Sequence, residues 1–445
     1  MRWLILAVVA VASTARADGP KIDYTSFELP NGLQVFVIED HKAPMIYEVM
    51  WVRVGSKDEV ANRTGFAHLF EHLMFKGSAH IVDGQMEKLL ESSGGWSNAF
   101  TSPDETVYQN VAGSRVLEQV LWGEADRLAG LTDTLDQKKL DNQRDVVLNE
   151  RRQSYENQPY GMASLYLDAA LWPHNHGYHW SSIGYPADIG AAQLPEVKAF
   201  FAKYYVPNNI AMVIAGDVNP DDVKRLVTKY FAWIPRQATP TRPLYAVPPR
   251  QDKQITIETN DDVQVPRVYV AFRGPAAYSA DEARLDVAAA ILGDGKSSRL
   301  YKRLVYDEKI AQGVAAIDET RELAGEFRIV VTAKPGTDPK RLCREVNEEV
   351  AKLAASPPDA AEVERAINAH EAQFLGGLER VLARAIQLAN YVVLAHDPDF
   401  FGKDLARYRA VTPHDVTSVA AKYLKPTARV VLTIKPGKKP AEEPK

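Results

Sequence analysis

The sequence predicts an α+β protein made of two homologous halves, each a mostly antiparallel sheet with helices packed on one face. Three observations carry this expectation. Strand-like and helix-like patterns are mixed with hairpin-like steps rather than alternating as strict strand–helix–strand units. The same order of elements runs twice along the 445 residues. Between the two runs lies a stretch holding Pro235, Pro240, Pro243, Pro248 and Pro249 with almost no helical periodicity. The halves are therefore placed at residues 18–235 and 251–436, with a proline-rich linker over 236–250 and a mobile Lys/Pro/Glu tail over 437–445.

Each element follows from its pattern. In the first half, alternating runs at Leu33 to Glu39 and Ile46 to Val54 predict strands, and Thr64 to Phe75 predicts a helix. Their counterparts are Gln254 to Glu258, Arg267 to Arg273 and the helical Ala280 to Leu292. Val107 to Val111 precedes a helix over Ser114 to Leu128, as Phe327 to Thr332 precedes one over Asp338 to Leu353. Long helical patterns follow at Asp136 to Asn157 and Asp359 to Leu394. Each half closes with a short helix and a strand: Leu194 to Tyr205 with Ile210 to Ala215, and Pro413 to Leu424 with Arg429 to Ile434.

Composition narrows the function. With 46% hydrophobic and 25% charged residues the chain is globular rather than disordered. A net charge of −5 gives no basic field for nucleic acid. The one cysteine, Cys343, allows no intrachain disulfide and no multi-cysteine zinc site, and it is expected as a packed small residue. Any metal must be held by His, Asp or Glu. Residues 1–17 combine Arg2, an apolar run from Trp3 to Ala12 and small residues at Ala15 and Ala17, the pattern of a cleaved secretory signal. No later stretch reaches the length of a membrane span. The expectation is a secreted, membrane-free protein, placed in a bacterial periplasm.

The sharpest local signal is His68-Leu69-Phe70-Glu71-His72. On a helix, i and i+4 share a face, so His68 and His72 can address one ion. Glu71 lies beside them, placed to take a proton from water. This is the inverted form of the His-Glu-x-x-His zinc-peptidase motif. Chance produces it in roughly one such chain per hundred, and two ordinary histidines on an amphipathic helix give the same pattern. Zinc needs a third protein ligand. Glu150, on the later helix beside Val146-Val147-Leu148, is a candidate, although most helical glutamates simply face water. His174, His176 and His179 resemble a metal cluster by count, but their Pro/Gly/Asn-rich surroundings predict a surface loop.

Taken together, Gly65 to Gly77, Gly94-Gly95-Trp96-Ser97-Asn98-Ala99-Phe100-Thr101 and Val146 to Glu150 resemble the pitrilysin-type (M16) zinc peptidases, nearest the mitochondrial-processing-peptidase-like branch. The resemblance runs from about Ile22 to Pro436. It implies one Zn²⁺ per chain held by His68, His72 and Glu150, with Glu71 as general base. It implies that Asn98 and Ala99 lie on an edge strand where a peptide substrate adds. It also implies an acidic residue seven positions before Glu150 to support the zinc-binding histidines, where this chain has the neutral Gln143.

The second half has no counterpart of the zinc motif. The resemblance places a substrate-binding Arg and Tyr there, but the aligned residues are Val305 and Gln312, which offer neither guanidinium nor phenol. The expected enzyme is therefore a zinc endopeptidase acting on short or unfolded peptides beside a homologous zinc-less subunit that supplies the missing pair. A self-sufficient homodimer is the alternative. A non-catalytic zinc-binding structural or peptide-binding subunit is the rival from another class, and it would bind peptide without producing fragments.

Overall fold

The computed structural model describes residues 21–245 and 253–440. The expected signal segment over 1–17 lies outside them, as do residues 246–252 of the linker region and the last five of the tail.

The first sheet comprises β1 (Thr25–Glu28), β2 (Gln34–Glu39), β3 (Met45–Val52), β4 (Trp96–Thr101), β5 (Thr106–Gly113) and β6 (Ile210–Gly216), in the order β1-β2-β6-β3-β5-β4. The second comprises β7 (Ile255–Asp261), β8 (Arg267–Gly274), β9 (Ala311–Glu319), β10 (Gly325–Ala333) and β11 (Val430–Pro436), in the order β7-β11-β8-β10-β9. Without β1 the two orders are the same. Each sheet has a single parallel pair, β2 with β6 and β7 with β11, and is otherwise antiparallel. The predicted repeat is thus a topological one, ending in matching edge strands β4 and β9.

Each sheet packs the helices of its own half on one face. Val35, Val37, Met50 and Met212 meet Leu69, Phe70 and Val147 there. Val268, Phe272 and Ile329 meet Ala288, Leu292 and Val346 in the second half. The opposite faces are covered by exchange. Helix Val381–Asn390 of the second half lays Ala385, Leu388 and Ala389 across Trp51, Val213 and Ala215 of the first sheet. Helix Ala163–Leu171 of the first half lays Leu167 and Leu171 on Ala271 and Leu432 of the second. Strands buried on both faces need apolar residues at successive positions, which is why Phe36 and Ile38 are as apolar as Val35 and Val37. A fully buried leucine such as Leu388 contributes roughly 1.5–3 kcal/mol, so the exchange ties the halves firmly.

Two expectations change. The helical pattern over Asp359 to Leu394 breaks into Ala360–Gly377 and Val381–Asn390, because Gly376-Gly377 gives up helix propensity just before the turn. The described part of the tail is anchored rather than mobile: Lys439 Nζ sits 2.9 Å from Asp261 Oδ1, and the Gly437 N–H donates to the Asp261 carbonyl at 2.9 Å. Likewise the linker through Tyr245 docks on the first half, where Arg242 Nη1 donates to Asp58 at 2.7 Å.

Candidate metal centre

Two crossing helices build the site. The first, Phe66–Leu73, is capped by Glu59, whose carboxylate accepts from the Gly65 and Ala67 N–H groups at 2.9 and 2.8 Å. Leu69, Phe70 and Leu73 sink into the core, with Phe70 stacked 4.9 Å from Phe201. That fixes the helix's rotation and turns His68, Glu71 and His72 toward the second helix. This helix, Gln137–Arg151, starts at Asp136, which accepts from the Lys139 N–H at 2.8 Å. Buried Leu140 and Val147 hold it in place and bring Glu150 opposite the histidines.

Glu150 Oε2 lies 3.1 Å from His72 Nε2 and 3.6 Å from His68 Nε2, and the three ligand atoms fall within 4.8 Å of one another. The imidazoles stand nearly perpendicular, 84° apart, at 4.7 Å between centroids. Zinc–ligand bonds of about 2.0–2.1 Å in a tetrahedral site put ligand atoms about 3.3 Å apart, so the donor set fits zinc. Among the described residues no other His/Cys/Asp/Glu group converges in this way. Burial and then the neighbouring His72 push His68 down to about 4, which keeps it neutral with a free lone pair. The hydrogen bond with His72 holds Glu150 below the usual carboxylate range, although burial acts against it. Glu71 is pushed up, mainly by burial, and the hydrogen bond from Thr101 opposes that shift.

The edge strand β4 forms one wall. Gly95 lets it start beside β5, since a Cβ there would lie 1.8 Å from the Val111 carbonyl oxygen. Along β4, Trp96, Asn98 and Phe100 are exposed, while Ser97, Ala99 and Thr101 are half-buried. The strand ends its sheet, so one row of its backbone groups is open to pairing. Asn98 and Ala99 do line the cleft that contains His68, His72 and Glu150.

Other expectations fare differently. Gln143 is buried, yet its side-chain amide donates to Asn142 at 2.7 Å, and His68 Nδ1 has no hydrogen-bond partner. The expected support of a ligand histidine is not made in this arrangement. The histidines near 176 are not a surface loop: His176 and His179 are buried, and His176 is stacked 4.8 Å from Trp172. Cys343 is half-buried against the second core, as expected. Val305 is half-buried against that core and Gln312 is exposed on β9. Sequence reasoning missed the role of Thr101, whose hydroxyl donates to Glu71 Oε2 at 2.6 Å, and of Tyr155, which lines the cleft from the wide turn after Glu150. The period-2 alternation that pairs Ala99 with Thr101 was the available signal for the former; nothing local marked the latter.

Two family profiles match the chain: one described as "Insulinase (Peptidase family M16)" over residues 34–179, the other as "Peptidase M16 inactive domain" over residues 191–369. The chain belongs to peptidase family M16. As an M16 protein it carries its candidate metal-ligand group within the first match, and none is found among the described residues of the second. It is 29% identical over 440 residues to zinc protease PqqE of Helicobacter pylori, covering 97% of each chain. It is 27% identical over 412 residues to a probable mitochondrial-processing peptidase subunit beta of Arabidopsis thaliana, covering 89% of this chain and 75% of that one. A solved structure of a protease from Helicobacter pylori superposes with a TM-score of 0.87 at 29% identity, covering 94% of this chain and 100% of the other. Helices and sheets are thus arranged as in solved M16 peptidases.

Proposed function

We propose that this M16 chain is an exported zinc endopeptidase that cleaves extended or unfolded peptides with Glu71 as general base. The convergence of His68, His72 and Glu150 beside a carboxylate that has one oxygen held and one free carries this reading. His68, His72 and Glu150 would hold one Zn²⁺ per chain. Bound zinc would polarise the scissile carbonyl and acidify the attacking water. Glu71 takes the proton of that water and returns it to the leaving amine nitrogen. β4 offers its open backbone row, so an extended peptide adds as a further strand and the main chain supplies most of the affinity. Asn98 and Ala99 lie at the centre of that contact.

A homologous zinc-less partner is part of the proposal. The cleft residues all come from the first half, while Val305 and Gln312 offer no cation or phenol to a substrate. Some relatives, moreover, are named as subunits of a processing peptidase. One observation favours a self-sufficient homodimer instead: the Tyr155 phenol lines the cleft and has no hydrogen-bond partner among the described residues. Residues 1–17 would direct export to the periplasm, which predicts a mature N-terminus at Asp18.

The test is cleavage of a quenched, unstructured peptide by the mature chain with stoichiometric zinc confirmed in the same sample, alone and with a zinc-less homologue. Glu71→Gln should retain zinc and lose turnover by about 10²–10⁴-fold. Turnover that survives in Glu71→Gln removes the general-base reading. Peptide binding without fragments under every pairing would favour a non-catalytic binding subunit.

A further inference from the structure

The Glu71 carboxylate makes a single protein hydrogen bond among the described residues, and its donor is on the substrate wall rather than on the ligand helices. Thr101 Oγ1 donates to Glu71 Oε2 at 2.6 Å, leaving Oε1 without a protein partner. Glu71 is 7% exposed and gains little from bulk water, so its orientation depends on that donor. Thr101 is the last residue of β4, in register with Thr106 of β5. Its hydroxyl lies 3.4 Å from that of Thr106, which itself donates to the Val54 carbonyl at 2.9 Å.

The turn that follows is held from both halves. Asp104 accepts from the Tyr178 hydroxyl at 2.6 Å and from the Glu322 N–H of the β9–β10 connection at 2.8 Å. The Lys57 ammonium lies 3.3 Å from Asp104 and 2.9 Å from Glu322. One end of β4 is therefore fixed, while among the described residues no strand lies beside its outer edge.

We propose that Thr101 is a positioning residue that couples the placement of Glu71 to the seating of a peptide along β4. A peptide paired with β4 immobilises the strand's outer edge and thereby the Thr101 hydroxyl, which aims the free oxygen of Glu71 at the attacking water. A peptide too short to pair along the strand leaves the donor less constrained. The coupling makes kcat, and not only KM, depend on substrate length. A base displaced by about 1 Å can lose about 10²-fold in rate. The inference rests on the reading of Glu71 as the base.

The experiment uses the zinc-loaded assembly in which the wild-type chain cleaves. It compares a peptide long enough to pair with all of β4 with one spanning little more than the scissile bond. Thr101→Val should lower kcat on the long peptide by about 10–100-fold, leave KM within about twofold, and collapse the kcat advantage of long over short. Zinc stoichiometry should not change, nor should binding of a labelled long peptide in a Glu71→Gln background. Thr101→Ser should restore both kcat and the length advantage. If Thr101→Val keeps the length advantage while Glu71→Gln is inactive, the coupling is overturned and the base reading stands. If Thr101→Ser is as impaired as Thr101→Val, the hydroxyl is not the agent and the inference also fails. If Glu71→Gln itself turns over, the proposed function falls, whatever Thr101 does.

Discussion

The two halves share one sheet order, yet among the described residues only the first brings together a candidate metal-ligand group, and the difference lies in the gap between a helix and an edge strand. In the first half, helix Phe66–Leu73 turns two imidazoles and a carboxylate toward the cleft, and Thr101 of β4 reaches Glu71 across it. In the second, helix Glu282–Gly293 packs directly on β9. Gly293 allows this: a Cβ there would lie 2.4 Å from the Ala316 backbone nitrogen. Small residues close the space that the His68, Glu71 and His72 side chains occupy in the other half. The scaffold thus leaves room for such a cluster where the helix–strand spacing is wide and closes it where glycine and alanine let backbones touch. What remains near the end of β9 is Asp318, whose carboxyl oxygens are both buried without partners.

The largest expected effect would break the asymmetry outright. His72→Ala should lower zinc affinity by more than about 100-fold, measured as metal retained against a competing chelator. Stoichiometric zinc in that variant would mean that the metal is held elsewhere, and the contrast between halves would lose its basis.

A second substitution probes how far the halves are separate bodies. Arg321, on the β9–β10 connection, donates through both terminal nitrogens to Asp168 of the first half at 3.2 Å, and both residues are buried. Arg321→Met strands that carboxylate and should cost about 3–5 kcal/mol, measured by urea denaturation. An unchanged midpoint would show that the halves hold together without this pair, through the helix exchange and the Asp104 and Lys57 contacts with Glu322.

The third sharpens the account of the second half. Burial, then the nearby Asp286 and Glu282, push Asp318 up to about 9, so it is protonated in the folded protein at neutral pH and ionised once unfolded. The folded state then binds more protons than the unfolded state between about pH 4 and pH 9, and this residue's contribution to stability falls as pH rises through that window. Asp318→Asn should flatten the slope and stabilise the protein at pH 8 by about 2–3 kcal/mol, read from thermal melts across pH. The same slope in both proteins would place the carboxyl in contact with water.

Much of this architecture is legible in one dimension. The apolar alternation of Val35 to Ile38 and the proline cluster from Pro235 onward mark strands and boundary because each reports a local constraint, the pleat in one case and the fixed φ in the other. His68 and His72 are legible as a pair because 3.6 residues per turn bring i and i+4 together on any helix. Glu150 is different. Its pattern is that of any half-exposed helical glutamate, and only the family resemblance singled it out. The helix exchange was invisible too: Leu388 reads as a core residue, but its sequence does not say whose core.

The sequence alone determined most of the strands, the repeated element order and the paired histidines with Glu71 between them, since the pleat and the helical turn are read within a few residues. Tertiary structure alone decided the rest: the crossing that brings Glu150 within 3.1 Å of His72, the reach of Thr101 to Glu71, and the closing of the second half's gap by Gly293. Those contacts join residues far apart along the chain. Their geometry is set by how cores such as Phe70 on Phe201 pack, and packing is a property of the assembled layers rather than of any segment.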